Sequence, residues 1–378
     1  MSKLLVVCYE YPPLGGGGAK VVQGLCEELV RGQYEIDLVT MGFQDLPRLE
    51  EVGGVQIHRI PSVRSHISIC HFWEMIPYIL LAIPYTIKLV KRGNHRINHT
   101  HFIFPDGLIS SMVARATGLP FIISAHGSDV PGYNPDRFKK LHRLLMPIWR
   151  RIINAAQGIS CPSASLQSLI LRHKPDATTW VIPNGIDVQK FEVQDERKKS
   201  LLVVTRMFER KGVQYLLEAM DVLDPEWEIE IMGDGPYLEA LKKINERLGG
   251  RAHFHGHVDN KSAEFKERFE TAGIFVFTSE AENFPIVLLE AMTAGLPIIT
   301  THGTGCAEVV GDAALLVEPK DVDGLRNALL QLTGDSDLRD RLGAAARARV
   351  EDLFTWRAVA KRTAAVLEEY SLPGPDHD

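Results

Sequence analysis

Four charged residues stand where this chain could do chemistry: Glu282 and Glu290, and the cations Arg206 and Lys211. Glu282 follows the apolar run Gly273-Ile274-Phe275-Val276-Phe277-Thr278, which reads as a buried parallel strand. It precedes Ile286 to Ala294, which reads as a helix with Pro285 in its first turn, where a missing N–H costs little. The start of that helix, approached through Asn283 and Phe284 and opened by Ile286 and Val287, offers free backbone N–H groups and favours anions. Glu290 lies inside an apolar segment, where a carboxylate needs a partner from the protein or from a ligand. Arg206 ends the strand Leu201 to Thr205, and Lys211-Gly212 opens the helix Val213 to Met220. Cations beside free N–H groups suit a diphosphate, although solvated surface charges would look the same.

Carboxylates on either side of an anion-favouring helix start suit a ligand with hydroxyls at both ends and an anionic middle, which is the shape of a nucleotide sugar. A structural ion pair at Glu290 with an exposed loop charge at Glu282 is the competing reading. A second phosphate-type feature lies near the start. The strand Leu4 to Cys8 runs through Pro12-Pro13 into Gly15, Gly16, Gly17 and Gly18, then a helix carrying Val21, Val22, Leu25 and Leu29. Such a loop lets backbone approach a ligand, or is simply flexible. A dinucleotide fingerprint fails, because the last position counted from Gly15 is Lys20 and the next strand, Glu35 to Met41, has no acidic end. His126 and Asp129 follow the strand Phe121 to Ala125, at the strand end where α/β sheets bind ligands; a lone histidine there also fits a structural role. His95, His99 and His101, and His253, His255 and His257, stand at even spacings that put each set on one strand face, with no acidic or cysteine ligand among them, so no metal site is expected. Asp321-Val322-Asp323 has D-x-D spacing, but Asp321 reads as the N-cap of helix Gly324 to Leu332.

The elements that must position these groups alternate strand and helix through both halves, which predicts two α/β domains. With 378 residues, 45% hydrophobic and 24% charged, the composition is that of a soluble globular chain long enough for two cores. Five scattered cysteines read as reduced core residues of a cytosolic protein, and the opening run Lys3 to Cys8 reads as a strand, so no signal peptide is expected. Phe72 to Val90 is strongly apolar but holds Glu74, Lys88, Pro77 and Pro84, which predicts a buried or interfacial helix, not a span. Residues 1–180 carry a formal charge of +6 and the remainder −12. A basic first half implies an anionic partner, such as a phosphate-bearing acceptor or a membrane surface. Arg137 to Arg151 is basic on one side and apolar on the other, so it fits either an anionic membrane or an ordinary core-facing helix. Asp195 to Lys199 reads as a linker.

Taken in order, Pro12-Pro13 with Gly15 to Gly18, His126-Gly127-Ser128-Asp129, Pro183-Asn184-Gly185-Ile186-Asp187, Arg206 with Lys211-Gly212, Gly233-Asp234-Gly235-Pro236, Gly256-His257-Val258, and Glu282 with Glu290-Ala291-Met292 resemble the retaining glycosyltransferases of family four. The resemblance covers nearly the whole chain and implies a GT-B fold, two Rossmann-like domains facing across a deep cleft. Residues 1–180 would bind the acceptor and 181–359 the nucleotide-sugar donor, with the last helix, 360–378, returning to the first domain. It further implies that Glu290 holds the ribose hydroxyls, Arg206 and Lys211 the diphosphate, Glu282 the sugar, and the backbone near Val258 the base. The glycine loop would cover the diphosphate, His126 would contact the sugar or steady charge at the reacting carbon, and Asp129 would lie near the acceptor or the sugar. Asn283, Phe284, Pro285, Ile286 and Val287 belong to the same donor site.

The implied activity is hexosyl transfer with retention of configuration, needing no metal or other cofactor and no nucleic acid. The donor would be a nucleoside diphosphate sugar, UDP favoured over GDP. The acceptor would be a lipid-linked glycan, a glycolipid or a cell-surface polysaccharide precursor, met in the cytoplasm or at the inner face of the membrane. Pro285 departs from the glycine usual in the family and removes one N–H, which loosens the inference about the sugar. Two other readings are a GT-B epimerase or hydrolase, which would act at full rate on donor alone, and a silent nucleotide-binding or membrane scaffold, which would bind without turnover.

Overall fold

The computed structural model describes residues 2–133 and 135–373, with side chains of 135–142 left aside. Arg137, Lys139, Lys140 and His142, the basic residues at the start of the expected amphipathic helix, therefore lie outside the described side chains. The chain divides into two compact units. One runs to Gly185 and resumes at Trp356; the other is Ile186–Thr355.

The first unit is built from β1 (Ser2–Val7), α1 (Gly17–Arg31), β2 (Tyr34–Met41), β3 (Leu49–Val52), β4 (Val55–Ile60), α2 (Phe72–Arg92), β5 (His95–His101), α3 (Asp106–Thr117), β6 (Phe121–Ser124), α4 (Pro135–Ala155), β7 (Ile159–Cys161), α5 (Ala164–His173) and β8 (Thr179–Val181). Its sheet runs β3-β4-β2-β1-β5-β6-β7-β8. Pairing is parallel throughout except for β3 against β4. The edge strand β3 was not expected, since Leu49-Glu50-Glu51-Val52 has no apolar run to announce it. Leu4, Leu5, Val6 and Val7 at the sheet centre are fully buried, as a strand covered on both faces requires.

The second unit contains β9 (Ser200–Val204), α6 (Val213–Ala219), β10 (Glu228–Met232), α7 (Leu238–Arg247), β11 (Ala252–Gly256), α8 (Ala263–Thr271), β12 (Ile274–Phe277), α9 (Ile286–Thr293), β13 (Ile298–Thr301), α10 (Gly305–Val310), β14 (Leu315–Val317), α11 (Val322–Gly334) and α12 (Ser336–Leu353). All pairs in its sheet, β11-β10-β9-β12-β13-β14, are parallel. The supposed linker is part of this body. Arg197 donates to the carbonyls of Glu270, Ala272, Ala294 and Gly295, pinning the segment to α8 and α9. A charged composition hid that role, because a guanidinium satisfied by carbonyls leaves no trace in local pattern.

After the second unit, α13 (Trp356–Tyr370) packs on α1 of the first. Val359 and Val366 join the core of that unit. Gly24 of α1 makes room, because a Cβ there would lie 2.4 Å from the Trp356 ring.

Pro77 and Pro84 do not break α2, which is continuous over 21 residues. The carbonyls each proline leaves unbonded belong to Trp73 and Leu80, both on the exposed side, where water can take them. Among the described residues α2 is the one helix long and apolar enough to cross a membrane by length and composition. All five cysteines are free thiols, and all but Cys70 are buried.

Candidate active site

In the second unit the strand ends bring the candidate residues together through backbone bonds. Gly212, at φ 72°, sits so close to the loop after β12 that a Cβ would lie 2.1 Å from the Thr278 carbonyl. Thr278 Oγ1 donates to the Gly212 carbonyl at 3.0 Å, and Glu280 N–H donates to Arg210 at 2.9 Å. The Lys211 loop and the Glu282 loop are thus stitched side by side. Lys211 Nζ pairs with Glu282 Oε1, both side chains being nearly buried, and Ser279 Oγ donates to the same oxygen at 2.8 Å. Arg206 is exposed, its guanidinium 5.4 Å from the centre of the Phe208 ring. Among the described residues no carboxylate lies within ion-pair distance of it. Its loop is held by the Gly-Asp-Gly turn: at Gly233, φ 135°, a Cβ would lie 1.7 Å from the Thr205 carbonyl, and Met207 N–H donates to Asp234 at 2.9 Å.

Pro285 is the N-cap of α9, one position earlier than expected, and the helix has no side-chain cap. Its first N–H groups, at Ile286 and Val287, therefore begin a helix whose positive end is not masked by a capping oxygen. The side chain of Phe284 is buried edge-on to Phe354 at 5.6 Å, so this residue offers a ligand its backbone. Val258 lies just past β11, packed partly against the core. The strand itself stops at Gly256, which takes φ 68° and ends the extended run.

Glu290 is partnered. Lys190 Nζ reaches its Oε1 at 2.5 Å and also sits over the Phe191 and Phe265 rings. The lysine side chain is 27% exposed, so the pair is not sealed away from solvent. Nothing local ties Lys190 to a glutamate 100 positions later, and the sequence reading missed it. It also missed Gly305: its N–H donates to the Glu282 carbonyl at 3.0 Å, and a Cβ there would lie 1.6 Å from the Asn283 carbonyl. Thr301 Oγ1 donates to Ser279 at 2.6 Å from the neighbouring strand.

In the first unit, Gly15 takes φ 90°, with space for a Cβ blocked by the Glu10 side chain, while Gly16 and Gly17 face open space. Buried Arg64 shapes this loop: it donates to the Ile67 carbonyl, which also accepts from Gly15 N–H, and pairs with Glu10 at 3.5 Å. Helix α1 starts at Gly17 without a side-chain cap. A Cβ on Gly18 would lie 3.8 Å from His126 Nδ1, so the histidine borders the loop. Asp129 acts as a clamp. Its Oδ1 accepts from the N–H of His126 and Gly127, and its Oδ2 from Ile103.

His126 Nε2 lies 3.1 Å from His101 Nδ1, and His101 rests against His99, which reaches Ser124 Oγ at 2.7 Å. Burial drives all three imidazoles below their ordinary range, with mutual repulsion adding to it for His99 and His101; the Asp129 charge pulls His126 partly back. Neutral His101 Nε2 is buried without a partner. An orphaned acceptor is less costly than an orphaned N–H, so His101 is assigned its proton on Nδ1, donating to His126 and leaving His126 Nδ1–H directed toward the glycine loop. The two histidine triplets take carboxylate partners at one member each. His95 pairs with Asp37, His255 with Glu230, and no metal-holding group occurs among the described residues. Asp321 caps α11 by accepting from Gly324 at 2.9 Å.

The histidine stack makes stability pH-dependent. His99 is pushed down to about 3 by burial, so below the ordinary value near 6.5 the unfolded chain takes a proton that the folded chain refuses. Stability is then lost as pH falls from about 6.5 toward 3. Relative to His99→Gln, the wild-type protein should lose about 2 kcal/mol between pH 7.5 and pH 5. Urea midpoints of the two proteins at both pH values check this; parallel shifts would reject it.

Comparison with known proteins follows the same division. The family Glycosyltransferase Family 4 matches residues 15–190, and Glycosyl transferases group 1 matches 186–349. An uncharacterised glycosyltransferase of Methanocaldococcus jannaschii is 26% identical over 96% of this chain and 97% of its own. N-acetyl-alpha-D-glucosaminyl L-malate synthase of Bacillus anthracis is 26% identical over 93% of each. Among solved structures, sucrose-phosphate synthase from Thermosynechococcus elongatus superposes with a TM-score of 0.79 at 21% identity, covering 98% of this chain and 99% of that one. Anabaena HepE in complex with UDP and glucose gives 0.75 at 16%, covering 98% and 100%. With both units assigned to the GT-B fold by these likenesses, the chain belongs to the family 4, group 1 glycosyltransferases, enzymes that use nucleotide sugars.

Proposed function

We propose that this enzyme transfers a hexose, with retention of configuration, from a nucleoside diphosphate sugar to the hydroxyl of a lipid-linked or cell-surface glycan acceptor. The observation that carries the donor assignment is the grouping at the strand ends of the second unit: Lys211 paired to Glu282, with exposed Arg206 and the uncapped start of α9 in the same unit. UDP is the favoured nucleotide, supported by the HepE complex with UDP. The lipid character of the acceptor is supported by relatives such as alpha-monoglucosyldiacylglycerol synthase of Streptococcus pneumoniae.

In this reading the acceptor oxygen attacks the anomeric carbon on the face from which the diphosphate leaves. The C–O bond to phosphate breaks, and the acceptor proton passes to a departing phosphate oxygen. Arg206, Lys211 and the helix starts steady the charge that develops there. In this reading charge neutralisation falls to these groups; of the two D-x-D carboxylates, Asp321 accepts from its helix start and Asp323 pairs with Arg326. Glu290, shared with Lys190, receives the ribose hydroxyls, and His126 Nδ1–H a sugar oxygen.

The test is a thermal-shift series with UDP-glucose, UDP-galactose, UDP-N-acetylglucosamine and GDP-mannose, because a ligand bound by the native state raises Tm. A UDP-sugar should raise it most, by about 2.7 kcal/mol of stabilisation at a hundredfold excess over Kd. No shift with any of the four would reject the donor assignment; a GDP-mannose response alone would overturn the UDP preference.

A further inference from the structure

A cavity in the first unit has no role in the chemistry described so far, although Asp129 borders it. It is an open-sided pocket of about 170 Å³, with Phe72, Met75, Phe104, Leu145 and Trp149 on its walls and Asp129 at its edge. An apolar cavity near 150 Å³ accommodates benzene, so this one has room for about six carbons. Its polar edge has little to offer an ion. The Asp129 carboxylate already accepts three backbone N–H bonds, and Trp149 Nε1 donates to the Asp129 carbonyl at 3.2 Å. Phe72 and Phe104 stack with their centres 5.6 Å apart. Tyr9, Cys70 and Ser128 add polar atoms to the lining, but against the Phe72, Met75, Phe104 and Leu145 walls hydroxyls or charges would lose water without finding partners, whereas hydrocarbon would gain.

Position and access narrow the occupant further. The Phe102 ring lines the cavity and also packs on His126, centres 4.4 Å apart. Phe102 itself is held at φ 69°, an uncommon conformation for a non-glycine residue, and it turns the chain from β5 toward this corner. The α2 wall is fixed by Glu74, whose oxygens accept from Ser65 and from the His71 N–H. The outer face of the same helix presents Trp73 at 56%, Ile76 at 48% and Leu80 at 66% exposure, and ends in exposed Lys88, Lys91 and Arg92. An apolar face with an aromatic at one end and cations at the other suits a helix lying on an anionic lipid surface.

We propose that this cavity is an apolar subsite for an amphiphilic acceptor, holding the hydrocarbon nearest its reacting hydroxyl while the outer face of α2 rests on the lipid from which that acceptor comes. Calling the occupant an acceptor rests on the transfer reading above; its binding does not. Calorimetry with monomeric ethyl, butyl, hexyl and octyl β-D-glucopyranosides, without nucleotide sugar, tests the cavity. Affinity should rise by up to about fourfold per methylene, then level off near six carbons as the space fills. Leu145→Trp, which fills the cavity, should flatten the series, and Met75→Trp serves the same purpose if the first variant does not fold. A flat series in the wild-type protein, or an unchanged series in a folded filled variant, would overturn the subsite. Failure of every donor to support turnover would instead overturn the transfer reading and leave the series standing. Trp73→Glu combined with Leu80→Glu should abolish co-sedimentation with phosphatidylglycerol vesicles and spare hexyl glucoside binding; vesicle binding unaffected by that pair would remove the lipid surface as the source.

Discussion

Arg206→Ala is expected to lower kcat/KM by about 10²- to 10³-fold, the range seen when one preorganised donor to a developing anion is removed, while leaving the fold almost untouched. The side chain is exposed and stacks only on Phe208, a contact worth roughly 0.5–1 kcal/mol at such a site. Lys211 separates differently. Its ammonium is the partner of a nearly buried Glu282, so Lys211→Met should lose comparable rate and also about 3–5 kcal/mol of stability, the cost of leaving one member of a buried pair alone. Adding Glu282→Gln should return most of that stability, because the amide no longer carries an uncompensated charge and can still accept from Ser279, yet activity should stay low. Urea denaturation and initial rates on the three variants, with the best donor from the thermal-shift series, resolve the two effects. A folded Lys211→Met/Glu282→Gln enzyme that turns over near the wild-type rate would remove Lys211 from the diphosphate and Glu282 from the sugar.

Gly305→Ala should be nearly as damaging for a reason that has no polar chemistry in it. The added methyl carbon would lie 1.6 Å from the Asn283 carbonyl oxygen and 2.9 Å from that of Glu282. Both are backbone atoms, so no side-chain rotation can relieve the overlap, and either the α10 start or the Glu282 loop must move by an ångström or more. A displacement of that size costs about 10²-fold in rate, and overpacking of this kind typically costs 1–3 kcal/mol in stability. The loss should fall on kcat/KM for the sugar donor, with binding of free UDP much less affected, since the displaced loop carries the sugar-holding carboxylate. Calorimetric UDP affinity reduced as far as kcat/KM would show instead that the substitution disrupts the whole donor site.

The two carboxylates illustrate how far the chain speaks for itself. That Glu282 stands on a strand-to-helix loop follows from a short apolar run, a break and a second apolar run, because periodicity and proline placement act over a few residues. That Glu290 must be partnered follows from burial of a charge among apolar neighbours. Which partner it takes does not follow, because Lys190 is distant along the chain and its approach depends on the packing of Phe191 against α8. Asp129 shows the opposite displacement: its place at a strand end was legible, but three backbone N–H bonds make it a clamp for His126.

By itself the sequence determined the alternation of buried strands and amphipathic helices, the glycine run before α1, and the residues that stand at strand ends. These are local consequences of apolar period, of φ, and of the charge at helix starts. Tertiary structure alone decided the pairing of Lys190 with Glu290, the stack that sets the proton on His126, the fit of Gly305 under Asn283, and the cavity beside Phe102. Each of those depends on a distance between segments far apart in the chain, set by how whole layers pack and therefore written in no single stretch.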